Sequence, residues 1–240
     1  MKKAVIAGLI VGVNLLSGIM VYAHEEISDL RITDDRVEYR IIESGAHVSV
    51  EYPVLNSETK FSQEMVNAVN EEFRNIAEET SEQAAKDMNE AYSWCLEIGD
   101  QELASHLIYE VTCDSVYILN HAYSVMQSHY TYTGGAHPYS WKEGYTYDMN
   151  TGELMTMGEI LGCSEETAVE AVVLAYKDTI IGQIEEITEE SIRGAFDDME
   201  YWFDEEGLRV SIAPYIVASY AAGPQDVLVT QDHVAQAWNK

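Results

Sequence analysis

Between Thr131 and Leu161 the chain reads TYTGGAHPYSWKEGYTYDMNTGELMTMGEIL, and this stretch constrains the fold more than any other. Adjacent glycines at 134 and 135 reach positive φ without steric cost, so Thr133 to Ala136 is a hairpin turn. Tyr139, Trp141, Glu143, Tyr145 and Tyr147 then alternate along one face of a returning strand. Asp148-Met149-Asn150-Thr151-Gly152 turns the chain again, toward a helix.

A turn of this kind needs a partner strand before it, and Val116 to Tyr132 supplies one. Both of its faces are mixed, so it reads as one long central strand, covered on both sides and bulged. Further upstream, residues 36–42 and 46–52 alternate with period two on either side of Ser44-Gly45, as in a hairpin, and Pro53 ends the second strand. From Phe61 the period changes to three and four (Met65, Ala68, Val69, Phe73, Ile76, Ala77), giving an amphipathic helix to about Tyr92. Trp94 to Leu96 and His106 to Cys113 read as a strand pair.

Downstream, Ser164 is an N-cap with Glu165 and Glu166 in the first turn, and the helical period runs to about 188. Leu208 to Ile212 is a strand ended by Pro214, Val227 to Thr230 is another, and Gln231 to Trp238 is a terminal helix. The expected class is α+β: a mostly antiparallel sheet packed against two long amphipathic helices.

The first residues suggest export. Lys2 and Lys3 precede an uncharged run from Ala4 to Tyr22, and Val21-Tyr22-Ala23 resembles a cleavage site, so residues 1–23 read as a signal peptide. An uncleaved anchor is the alternative, because the run is long enough to span a bilayer. No other segment is expected to enter a membrane. The remainder, 24–240, reads as a single domain with halves at about 30–130 and 131–235.

The chain carries 42 acidic against 13 basic residues, a net charge of −29. Removing the leader takes away two lysines and no acids. Such a surface repels phosphate backbones and anionic lipids, which excludes nucleic acid as a partner, and it attracts cationic proteins.

Three cysteines in an oxidising compartment allow one bridge. If residues 99–105 form a bend, Cys95 and Cys113 fall opposite each other and are the first choice, leaving Cys163 free; three reduced thiols remain the alternative.

No reactive constellation stands out. His121 and His129 lie roughly 27 Å apart along one strand, too far to share an ion. HExxH, paired CxxC, EF-hand, GxSxG and phosphate-loop patterns are all missing. No catalytic residue, metal or cofactor is therefore expected. What remains is aromatic surface: Tyr130, Tyr132, Tyr139, Trp141, Tyr145 and Tyr147 concentrate around the glycine turn. Aromatic rings anchor interfaces and stack on sugars.

Two segments resemble a known family. TGGAHP followed by an aromatic strand and YDMNTGELMTMGEIL is similar to its first signature, and YWFDEEGLRVSIAPYIVASYAAGPQDVLV is similar to its second. Tyr52-Pro53 before the long helix also fits. The family is the extracytoplasmic domain of unknown function found in the lysozyme-sensing anti-sigma factor RsiV and ahead of the deacetylase domain of PdaC. The resemblance covers about residues 36–230.

It implies a secreted or envelope-tethered α+β module without catalytic residues of its own, binding a cationic protein such as lysozyme, or peptidoglycan. Gly134, Gly135, His137, Tyr139 and Tyr215 are the residues expected to make contact. Ile216 departs from the acid usual after the Pro-Tyr pair, and only Met1-Lys2-Lys3 precedes the apolar run, so an anti-sigma role is not implied. The alternative is a hydrolase of cell-wall glycan or peptide, with His137 and a nearby acid as its site.

Overall fold

The 3–4 spacing of apolar residues after Ser62 produces the longest element, α1 (Gln63–Glu97), which starts where Ser62 Oγ accepts the Met65 amide at 3.3 Å. It buries Val66, Val69, Phe73, Ala77, Ala84, Met88, Tyr92 and Cys95. Ser81 interrupts that stripe without penalty, because its hydroxyl donates to the Ala77 carbonyl at 2.6 Å. A computed structural model describes residues 27–32, 36–41, 46–55 and 59–239. The expected leader, and the Ser44-Gly45 turn, lie outside these residues.

The helix covers one face of a seven-stranded sheet. The strands run in sequence order: β1 (Ile27–Ile32), β2 (Arg36–Ile41), β3 (His47–Glu51), β4 (Ile108–Leu119), β5 (Ala122–Tyr132), β6 (Tyr139–Asp148) and β7 (Glu153–Leu154). All neighbours are antiparallel except β3 and β4, which are parallel because α1 carries the chain back between them. Buried Gln127 ties the junction together, donating Nε2 to the Glu51 carbonyl at 2.7 Å.

A second sheet of three antiparallel strands is formed by β8 (Glu200–Phe203), β9 (Leu208–Ile212) and β10 (Gln225–Val229), in the order β10-β9-β8. It carries α4 (Glu165–Thr179) and α6 (Gln231–Trp238), with the short α3 (Met157–Leu161) and α5 (Glu189–Gly194) at its margins. A shorter helix, α2 (Gln101–Ala104), follows α1. The hydrophobic cores divide accordingly. One joins α1 to the large sheet up to Leu154, and the other begins at Met157. The α+β class holds, but each long helix serves its own sheet.

Where the sheets meet, the outer face of β5 and β6 is reduced to Ser124, Gly144 and Thr146. A Cβ on Gly144 would run into the Tyr201 backbone of β8, so only glycine allows the approach. Polar atoms close the seam. Phe203 donates its amide to Ser124 Oγ at 2.9 Å, and Gly144 donates its own to Glu200 Oε2 at 3.1 Å.

Four expectations change. Val116 to Tyr132 is not one strand: Asn120, at φ +54°, turns β4 into β5 with His121. The expected bulge falls earlier, between Cys113 and Ser115. Trp94 to Leu96 belongs to α1, so the hairpin that would have set Cys95 against Cys113 does not form. All three cysteines are free thiols, and burial beside Glu51 pushes Cys113 up to about 11. Finally, the helix after Ser164 stops at Thr179, where Gly182, at φ +89°, follows.

Candidate functional site

Gly134 sits at φ +88°, and a Cβ added there would meet Leu103 of α2 and Trp94 at the end of α1 at 3.3–3.4 Å. Gly135 is different. It does not take positive φ, and a Cβ there would meet open space. The turn therefore needs one glycine, not two. It delivers His137 and Pro138 to the end of the sheet, where the segment 213–224 between β9 and β10 comes up beside them.

Hydrogen bonds fix how these two segments meet. His137 Nδ1–H donates to the Pro138 carbonyl at 3.0 Å, which leaves Nε2 to receive the Tyr215 hydroxyl at 3.0 Å. Tyr220 donates to the same Pro138 carbonyl at 2.7 Å, and Tyr139 donates to the Pro214 carbonyl at 3.3 Å. The His137 ring stacks on Tyr220, centroids 3.6 Å apart and planes 16° from parallel. Tyr215 lies 6.3 Å from His137 and 6.4 Å from Tyr139.

The rings continue inward. Tyr139 reaches Trp141 at 5.4 Å, Trp141 stacks on His129 at 4.6 Å, and His129 meets Tyr109 at 6.4 Å. A continuous aromatic strip thus runs from half-buried Tyr109 of β4 to the exposed 213–224 segment. Its inner end is anchored by Glu143, which accepts from Trp141 Nε1 at 3.1 Å and from the Tyr145 hydroxyl at 2.7 Å. Burial holds His129 below the usual histidine range although Glu143 Oε2, 3.6 Å from its Nε2, pulls the other way.

The outer end is presented to solvent. Tyr215 is 58% exposed and has φ +71°, a left-handed conformation that costs a non-glycine residue about 1–2 kcal/mol. The Tyr215 amide donates to the Ala218 carbonyl at 3.1 Å, and Ile216 beside it is also exposed. The Tyr215 ring is thus held by His137 and Tyr139 on one side and open to solvent on the other.

Three residues singled out from the sequence, His137, Tyr139 and Tyr215, are brought into one cluster. Gly134 shapes the turn that carries them, and Gly135 has no such role. Tyr145 and Tyr147 are buried against Phe73 and belong to the core, not the surface. Sequence reasoning missed Tyr220 and the place of Trp141 in the strip. Tyr220 lies in the same motif segment as Tyr215, five residues on, so the signal was present. Among the described residues, no hydrogen bond or ion pair joins His137 to a carboxylate; both ring nitrogens are engaged elsewhere.

Residues 43–140 match the family model described as deacetylase PdaC, a span that runs from just before β3 through the turn bearing His137. The match bears out the resemblance read from the TGGAHP segment; the Pro-Tyr segment lies beyond it. No curated protein matches the chain. Two similar solved structures are DUF3298 family proteins. The one from Bacteroides fragilis NCTC 9343 is 14% identical, covers 81% of this chain and 88% of its own, and has a TM-score of 0.48. The one from Pseudomonas aeruginosa PAO1 is 12% identical, covers 80% and 85%, and has a TM-score of 0.48.

Proposed function

We propose that the chain is an exported, non-catalytic binding module of the bacterial envelope, and that it grips its partner with the outer end of the aromatic strip. The observation that carries this reading is Tyr215: exposed, backbone-strained, and held in place by His137. Rings that are pre-positioned lose little entropy on binding, which is how a small number of aromatics come to dominate an interface. The partner that suits the charge is a cationic protein, a lysozyme-like hydrolase being the test case. Peptidoglycan is the second reading, because Tyr215 and Tyr220 offer flat faces of the kind that stack on sugars.

Retention on immobilised lysozyme, at low and at moderate salt, tests the first reading. Retention should persist at moderate salt, and Tyr215→Ala should weaken it at least ~10-fold, the size of a hot-spot loss. Retention that vanishes at moderate salt and ignores Tyr215→Ala would be charge attraction alone and would end the proposal. Co-sedimentation with peptidoglycan sacculi, using the same variant, tests the second.

A further inference from the structure

β8 crosses only part of the outer face of the large sheet, ending its cover at Gly144 and Ser124. Two rows of residues beyond that cover stay open: Thr112, Ser128 and Lys142 in one, Glu110, Tyr130 and Ser140 in the next. Pro224, at the end of the 213–224 segment, walls them in, and the result is a cleft of about 190 Å³. With strands about 4.8 Å apart and same-face residues about 6.8 Å apart, the six positions span roughly 10 by 7 Å. That is the footprint of one sugar ring, well below the ~300–1,000 Å³ of drug-sized sites.

The chemistry of the lining narrows the ligand. Among the described residues, the hydroxyls of Thr112, Tyr130 and Ser140 and the carboxylate of Glu110 make no hydrogen bond to the protein. Ser128 Oγ finds only the Met126 sulfur, at 3.6 Å. These groups are unspent donors and acceptors pointing to one side of a sheet. Lys142 is already engaged by Asp226 and lies 5.5 Å from the Trp202 ring, so it offers little free positive charge.

An anionic ligand would meet that deficit and the chain's −29 charge. A purely apolar one would strip water from the hydroxyls without replacing it. A neutral ring bearing several hydroxyls satisfies both constraints, and Tyr130, 39% exposed, supplies a ring face for its C–H side.

We infer that this cleft is a saccharide subsite taking one neutral pyranose unit of an oligosaccharide. His129 and Trp141 of the aromatic strip also line the cleft, whose polar rows come from the opposite face of the same strands, and the 213–224 segment borders both sites. Calorimetric titration of the whole chain with trisaccharides of β-1,4-linked glucose and of β-1,4-linked N-acetylglucosamine, with trigalacturonate as the anionic comparison, provides the test. At least one neutral trimer should bind with a Kd below ~1 mM, and trigalacturonate should bind more weakly.

Tyr130→Ala should weaken neutral binding at least ~10-fold, and Glu110→Gln several-fold, in proteins whose Tm is unchanged. Ser140→Trp, at an exposed position that fills the cleft, should abolish binding without touching a hydrogen-bonding partner of the fold. Silence from every neutral trimer, stronger binding of trigalacturonate, or indifference to Tyr130→Ala and Ser140→Trp would overturn the subsite. Lysozyme retention is read on separate samples, so loss of either proposal leaves the other standing.

Discussion

On the side of β5 and β6 that meets α1, Tyr123, Tyr145 and Tyr147 stand around Phe73, with ring centroids 5.4–6.3 Å away and planes near perpendicular. On the other side, Ser124, Gly144 and Thr146 present almost no side chain, and the backbone of β8 lies directly on them. One face is filled by volume; the other is closed by emptiness and hydrogen bonds. The two should therefore fail in opposite ways: the first when something is removed, the second when something is added.

Phe73→Ala removes the plug from the filled face and should cost about 3–5 kcal/mol, read as a fall in the urea midpoint with little change in slope. A loss below ~1 kcal/mol would mean the tyrosines collapse into the space, and the contrast between the faces would weaken. Gly144→Ala adds a single methyl to the empty face and should cost up to about 3 kcal/mol by pushing β8 away. Amides of β8 and β9 should then exchange faster while those of α1 hold. Uniform loss of protection would contradict the assignment of that seam.

The inner strip adds a pH dependence to the filled face. His129 titrates below 6.5 in the fold because burial disfavours its charge. The unfolded chain takes up that proton first as pH falls through 6.5, so stability declines from there down to the folded pKa and then levels off. Each pH unit inside that window costs at most about 1.4 kcal/mol. His129→Phe keeps a ring against Trp141 and should flatten the profile between pH 7 and pH 5; an unchanged slope would assign it to other groups.

The smallest stability effect belongs to Tyr215. Tyr215→Gly relieves the left-handed strain, against a small entropic penalty, and should raise or preserve stability within ~1 kcal/mol while abolishing partner retention. Stability and binding parting in this way would mark the conformation as kept for contact.

Much of this was legible in the residues, and the exceptions have physical causes. α1 and the 46–52 strand announced themselves because their periods persist over many residues. The break between β4 and β5 did not, because Asn120-His121 is a two-residue turn without glycine or proline; asparagine's tolerance of positive φ was its only sign. α4 was overextended because Ile180, Ile184 and Ile187 keep the helical period after the helix has ended, filling the second core from a turn. β8 was hidden in an acidic stretch, its identity set by the glycine it covers rather than by its own sequence. His137, Tyr139 and Tyr215 came from motif segments. That they converge depends on the path of the 213–224 segment, which no local pattern encodes.

The parallel junction between β3 and β4 sets a timetable as well as a topology. Strands β4 to β6 are joined by tight turns and can zip from their tips, whereas β3 can find β4 only after the whole of α1 has been laid down between them. Closing that long loop is paid in chain entropy before any contact rewards it. Until α1 has docked, the edge of β4 that faces β3 is therefore the edge of the aromatic strands left open to pairing with another chain.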